Sequence, residues 1–200
     1  MKTNFRNHLA YTWWIYCLIP VAVIVIWVSV FQMVLKPKPY ETINISFVGE
    51  GLDCQDLQVE IESRAKNHRQ DIQEINVESV TTENSYVLNN LLMARSIGDT
   101  DFVIVTESNM LSNIGSAYFV EFDDKLKEAF TGANFYSEED TVYGIRLDES
   151  ETFKKYYHGE EKCYLFITAV SENFAALNGK GETENDFALM IAKYLMGVDK

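Results

Sequence analysis

The hydrophobic pattern divides the chain into one unbroken apolar segment and a longer region in which apolar and polar positions alternate. Residues Leu9–Leu35 carry no charge, and the 23 residues Trp13–Leu35 exceed the about 20 helical residues that span a bilayer. Trp13, Trp14 and Tyr16 lie near one end, where aromatic side chains anchor a helix at the membrane interface. The pattern predicts a tail at 1–8, a transmembrane anchor at 9–35, a linker at 36–41 and a domain at 42–200.

A cleaved signal peptide is the alternative for the apolar segment, because the segment is N-terminal and follows Lys2 and Arg6. Its apolar run is longer than the roughly 7 to 15 residues of a signal-peptide core, and residues 36–40 offer no small-x-small cleavage site. We therefore interpret the segment as an uncleaved anchor that contacts membrane lipid. Cys17 within it is interpreted as an inert thiol of the helix.

The orientation of the anchor is weakly encoded. Lys2 and Arg6 before the segment are matched by Lys36 and Lys38 after it, so the positive-inside rule gives almost no preference. A signal-anchor arrangement predicts a single-pass protein of the cell membrane with a cytoplasmic N-terminus and an extracellular C-terminal domain. The opposite topology stays open.

The charge of the chain limits its partners. The net charge is −13, and from Glu41 onward 13 basic residues face 30 acidic ones, a balance of −17. Such a domain is repelled by nucleic acid and by anionic lipid headgroups. We expect no nucleic-acid partner, and partners that are neutral, cationic or recognised through local contacts. The simpler interpretation is that the charge keeps the domain soluble.

Within the domain, the hydrophobic periodicity predicts strands that alternate with helices. Such an order favours an α/β fold, a doubly wound, mostly parallel sheet with helices on both faces. The predicted strands are Ile43–Val48, Ile72–Val80, Asp101–Val105, Val142–Leu147 and Cys163–Val170. The predicted helices are Asp53–His68, capped by Asp53, then Ser85–Ile97, Asp123–Phe130, Glu151–Tyr157 and Glu184–Met196.

Several short motifs follow one another in a recognisable order. They are Ile43-Asn-Ile-Ser-Phe-Val-Gly-Glu-Gly51, Ile75–Val80, Tyr86–Val105, Phe122–Leu126, Tyr143-Gly-Ile145, and Ala169–Asn173 followed by Ala188–Leu195. Together they resemble the first lobe of bacterial extracellular solute-binding proteins of ABC importers, of the periplasmic-binding-protein-like type II. In that family a second lobe leaves after the strand resembling Tyr143–Ile145. Here only Leu147–Lys162 precedes the strand resembling the return, so the chain resembles one lobe without its mate.

A lone lobe offers an open rim at the carboxyl ends of its strands, where open α/β sheets bind ligands. We expect a small solute or peptide to bind weakly there, and a larger partner surface to fill the rim. Glycines permit close backbone approach, and the polar residues supply donors and acceptors. The same residue types also make turns and helix caps. The candidate ligand- or partner-binding residues are Gly49, Glu50, Thr82, Glu107, Ser108, Asn109 and Tyr143.

Catalysis finds little support in the sequence. The three histidines, His8, His68 and His158, stand apart from any catalytic motif, and no P-loop, nucleophile elbow, zinc-protease or dinucleotide motif is present. We expect no cofactor, no metal and no enzymatic activity; a hydrolase with an unrecognised site is the remote alternative. Pairing between Cys54 and Cys163 stays open, because sequence does not give the distance between their Cα atoms.

The sequence thus predicts a membrane-anchored extracellular binding or interaction module without catalytic activity. The resemblance implies that it serves an ABC importer or another membrane complex of the cell envelope. The alternative is an accessory or structural subunit that has lost solute binding and contributes its anchor to contacts within the membrane.

Overall fold

The computed structural model describes residues 2–35, 37, 41–68, 72–80, 90, 100–110, 118–169, 171, 173–174 and 187–198. The chain divides into two compact units, Met1–Pro37 and Lys38–Lys200. The predicted helix Ser85–Ile97 lies outside the described residues except at position 90. Thr82 also lies outside them.

The first unit is built on helix α1, Lys2–Leu35, a helix of 34 residues that contains Pro20. Its described side chains are those of Trp13, Trp14 and 17–31, and all of them are exposed except the half-buried Ala22. Within the helix, the Ser29 hydroxyl donates to the Val25 carbonyl over 2.8 Å. Among the described residues, no helix combines the length and the apolarity that crossing a membrane requires.

Over its described residues, the second unit contains one sheet of six strands in the order β2-β1-β3-β6-β5-β4. The strands are β1 (Thr42–Val48), β2 (Glu74–Val80), β3 (Phe102–Thr106), β4 (Phe135–Glu138), β5 (Thr141–Arg146) and β6 (Cys163–Ile167). The helices that the structure describes in this unit are α2 (Cys54–His68), α3 (Asp124–Ala129) and α4 (Phe187–Met196), with short 3₁₀ turns at Glu107–Asn109 and Phe153–Lys155.

The sheet is mixed, and the prediction of a mostly parallel sheet is wrong. Strands β1, β2 and β3 are mutually parallel, whereas β3 with β6, β6 with β5, and β5 with β4 are antiparallel. The β4–β5 connection is only Glu139-Asp140, both with positive φ, and a link that short joins antiparallel neighbours. The segment between β5 and β6 contains one 3₁₀ turn rather than the predicted helix Glu151–Tyr157, so it makes no helical crossover.

Local signals place the helix starts. The Asp53 carboxylate accepts from the Asp56 amide over 3.1 Å, which confirms the predicted cap of α2. Asp123 does the same for α3 by accepting from the Leu126 amide over 2.9 Å. Helix caps are read from adjacent residues, which is why the sequence places them well.

The two faces of the sheet have separate apolar clusters because strand side chains alternate. The larger cluster joins one face to α2, α3 and α4, through residues such as Ile61, Leu126 and Ile191. The smaller cluster, here called the aromatic face, contains Val48, Val103, Val105, Phe119 and Phe166, with Tyr118, Tyr136, Tyr143 and Tyr164 partly buried against it. The helices that the structure describes thus pack on one face, whereas helices were expected on both faces; the predicted helix Ser85–Ile97 lies almost wholly outside the described residues.

Candidate functional site

A cleft lies where β1, β2 and β3 reach their carboxyl ends. Its volume is about 310 Å³. Because these three strands are parallel, their ends meet at one edge of the sheet, the place where open α/β sheets bind ligands. The lining residues are Gly49, Glu50, Val80, Thr106, Ser108, Asn109, Tyr157, Gly159, Glu160 and Glu161.

Thr106, at the end of β3, joins the cleft to the sheet. Its side chain is buried, and its hydroxyl lies 3.4 Å from the Val48 carbonyl, to which it donates. The same oxygen accepts from Asn109 Nδ2 over 2.7 Å and lies 3.4 Å from Ser108 Oγ. The turn after β3 is therefore held in place by its own polar side chains.

Gly49 permits the close approach of β1 and β3 at the cleft. Its φ of +151° is rare for residues with a side chain, and a Cβ at this position would collide with the side chain of Thr106. The carbonyl of Gly49 accepts from the Ser79 hydroxyl of β2 over 3.4 Å. A glycine here thus keeps the ends of the parallel strands together and the cleft open.

The opposite wall comes from the residues before β6. The Tyr157 ring stacks on Phe153 with centroids 5.4 Å apart and meets Phe47 edge-on at 6.0 Å. Its hydroxyl donates to the Glu161 carbonyl over 3.1 Å. Burial of the Tyr157 ring is the main reason that the pKa of its phenol is raised, so the phenol stays neutral. Gly159 lies against this ring, where a Cβ would collide with it.

Three contacts join this wall to the turn after β3. The Ser108 amide donates to Glu161 Oε2 over 3.1 Å, and the Glu107 amide donates to the Lys162 carbonyl over 2.8 Å. Lys162 Nζ also lies 2.7 Å from Glu107 Oε1. Hydrogen bonds from Ser108 hold the pKa of the Glu161 carboxyl below its ordinary value, so this group is ionised at neutral pH.

The structure brings together four of the predicted rim residues. Gly49, Glu50, Ser108 and Asn109 all line the cleft. Glu107 lies beside the cleft and is paired with Lys162 rather than lining it.

Tyr143 does not lie at the cleft. It belongs to the middle of β5 and packs partly buried against the aromatic face. Thr82 lies outside the described residues. Of the predicted interface aromatics, Trp13 and Trp14 are exposed on α1, and Tyr16 belongs to that helix.

Sequence reasoning missed the wall formed by Tyr157, Gly159, Glu160 and Glu161. These residues precede β6, and β6 runs antiparallel to β3 with Cys163 paired to Thr106. The start of β6 therefore lies at the carboxyl end of β3. In an all-parallel sheet the same residues would lie at the opposite edge, so the wrong strand direction concealed them.

The three cysteines form no disulfide bond. Cys17, Cys54 and Cys163 are all free thiols. Cys163 is fully buried, and burial is the main cause that raises its pKa to about 12. Such a thiol stays protonated and unreactive at neutral pH.

Over the described part of the chain, no group of three or more histidine, cysteine and acidic residues is placed to hold a metal ion.

Comparison of the chain with protein families, with curated proteins and with solved structures gives no match. The resemblance to a solute-binding lobe therefore stays a prediction.

Proposed function

We propose that this chain is a membrane-anchored extracellular binding module whose cleft binds a ligand or a segment of a partner protein without catalysis. The observation that carries the proposal is the cleft of about 310 Å³ at the carboxyl ends of three parallel strands. Concave sites of this size, with a few fixed polar groups, are typical of ligand pockets.

The cleft is preformed, which favours binding. Thr106, Ser108 and Asn109 are hydrogen-bonded to one another, and Ser108 is also bonded to Glu161 of the opposite wall. A ligand therefore meets groups that need little further ordering, which lowers the entropic cost of association. Glu50, Gly159, Glu160 and Glu161 are exposed, so the mouth is open and small solutes are held weakly.

The membrane anchor is part of the proposal. Apart from Ser29 and the half-buried Ala22, the described side chains of α1 are apolar and exposed, for example Trp27 at 68% and Ile26 at 63%. A helix that is apolar all round is suited to a protein core or to a bilayer. Among the described residues no helix meets the requirements for a membrane span. The proposal of an anchor is therefore supported by the uncharged sequence Trp13–Leu35 together with these exposed side chains. Its N-terminus is proposed to be cytoplasmic.

The wider role follows from the resemblance alone. As a single lobe held at the membrane, the domain would serve an ABC importer or another membrane complex of the cell envelope. The alternative, an accessory subunit that has lost binding, would be favoured by a flat apolar rim. The polar cleft with Tyr157 in its wall supports binding instead.

The test is thermal unfolding of the full-length protein in lipid nanodiscs with panels of sugars, amino acids, peptides and divalent ions. A compound that binds the folded cleft raises the unfolding midpoint in a concentration-dependent way. Ser108→Trp, which fills the cleft, should abolish that rise, whereas the control Ser63→Trp on the exposed face of α2 should keep it.

Asn109→Ala provides a second, milder cleft variant in case the tryptophan disturbs folding. A shift that survives both cleft variants would place binding elsewhere. A well-folded protein that responds to no compound would contradict the proposal and favour the accessory subunit.

A further inference from the structure

The charged side chains that line the cleft all carry the same sign. They are the carboxylates of Glu50, Glu160 and Glu161. Within the described lining there is no lysine, arginine or histidine. Lys162, the next residue along the chain, has its ammonium group 2.7 Å from Glu107. The cleft therefore presents uncompensated negative charge to a ligand.

Three neutral side chains of the cleft use their donors within the protein. Asn109 Nδ2 donates to the hydroxyl oxygens of Thr106 and Ser108, and the Tyr157 hydroxyl donates to the Glu161 carbonyl. The Thr106 hydroxyl donates to the Val48 carbonyl. What the cleft offers outward is mainly acceptors, the carboxylate oxygens. A ligand that satisfies them must bring several N–H or O–H donors.

One of the carboxylates is held in position. Glu161 Oε2 accepts from the Ser108 amide over 3.1 Å, and this bond ties it to the turn after β3. Charge-assisted hydrogen bonds to a fixed carboxylate are stronger and more directional than those to a mobile one. Glu50 and Glu160 also line the cleft, are exposed, and add attraction at longer range.

We propose that the cleft binds an organic cation, an ammonium or guanidinium group with several N–H donors, such as a polyamine or a basic side chain carries. The inference rests on the proposed function and names the ligand class of the same site. The cavity volume, acceptor-rich lining and absence of a basic lining residue in its described part carry it together. Anionic ligands such as phosphates and free carboxylates are disfavoured by the same charges.

The experiment is isothermal titration of the full-length protein in nanodiscs of zwitterionic lipid, which gives the cations no anionic lipid to bind. The probes are spermidine, N-acetylarginine amide and its uncharged counterpart N-acetylcitrulline amide, with Ca²⁺ as an inorganic cation. We expect both organic cations to bind and the citrulline compound to bind at least about fivefold more weakly, because it lacks the charge.

Two double variants separate the cleft from the general acidity of the domain. Glu50→Gln with Glu160→Gln should weaken the binding of both organic cations about fivefold, since each exposed ion pair contributes modestly. Glu121→Gln with Glu128→Gln removes the same charge from exposed positions of the domain that do not line the cleft and should leave binding unchanged. Unfolding midpoints of both variants should match that of the native chain, because the four side chains are exposed.

Failure to bind either organic cation, binding of Ca²⁺ alone, or equal weakening in both double variants would overturn the inference. If the cations fail while an uncharged compound still binds in a manner that Ser108→Trp blocks, the ligand class is wrong and the proposed function stands. If no compound of either experiment binds, both fail.

Discussion

At the scale of the residue, Asp101 is a buried acceptor at the amino-terminal end of β3. Its side chain is 3% exposed, and Oδ2 accepts from the Asn44 amide of β1 over 2.9 Å. Oδ1 accepts from Asn173 Nδ2 over 3.0 Å and from the Ser171 hydroxyl. One carboxylate thus joins two parallel strands to the segment that follows β6, at the edge of the sheet opposite the cleft.

Asp101→Asn should destabilise the domain by about 1 to 3 kcal/mol, because an amide nitrogen would face groups that donate and leave a buried donor unsatisfied. Urea unfolding of the full-length protein, with Glu128→Gln as an exposed control, measures the loss. If Asp101→Asn unfolds at the same urea concentration as the control, the carboxylate does not hold these segments together.

At the scale of the element, α1 is the part whose role is easiest to test. Alkaline extraction of membranes from cells that express the protein should leave the native chain in the pellet. Alkali removes peripheral proteins, whereas a helix that spans the bilayer stays in the membrane. Replacing Val23 and Ile26 with lysines places charge at the centre of the apolar segment and should shift the protein to the supernatant.

A matched pair of lysines at Gln55 and Ser63, both neutral and exposed on the second unit, controls for added charge. Release of the native chain by alkali would contradict the proposed membrane anchor and would not affect the proposal that the cleft binds a ligand. Retention of the Val23 and Ile26 variant in the pellet would show that another part of the protein attaches it to the membrane.

The sequence predicts elements better than it predicts their directions. The alternation in Ile43–Val48 and the short, almost wholly apolar run Asp101–Val105 predict β1 and β3, and Asp53 marks the start of α2. Strand β4, Phe135–Glu138, was not predicted, because its residues are only partly buried and show little alternation. No local pattern states that β6 runs antiparallel beside β3, since strand direction is decided by long-range pairing.

In the candidate site, too, the residues set by local sequence are predicted and those placed by long-range strand pairing are not. The turns after β1 and β3 are local, and the sequence therefore predicts Gly49, Glu50, Ser108 and Asn109 as rim residues that line the cleft. Glu160 and Glu161 reach it only through the antiparallel placement of β6.

Taken as a whole, the chain combines an acidic α/β domain with an apolar helix. The domain carries 13 basic and 30 acidic residues from Glu41 onward, and its cleft repeats that bias locally. Net negative charge favours the approach of cationic ligands over long distances, and the fixed carboxylate of Glu161 then gives local recognition. The exposed residues Glu50, Glu160 and Glu161 leave the cleft open at its mouth, which suits rapid exchange or a partner that completes the enclosure.

If the cleft is the binding site, a bound compound protects its two walls, and hydrogen–deuterium exchange of the full-length protein in nanodiscs measures that protection. With a compound that raises the unfolding midpoint, the account predicts slower exchange in peptides covering 106–109 and 157–161, the two walls of the cleft. Slower exchange confined to other segments, or no change in these two, would contradict it.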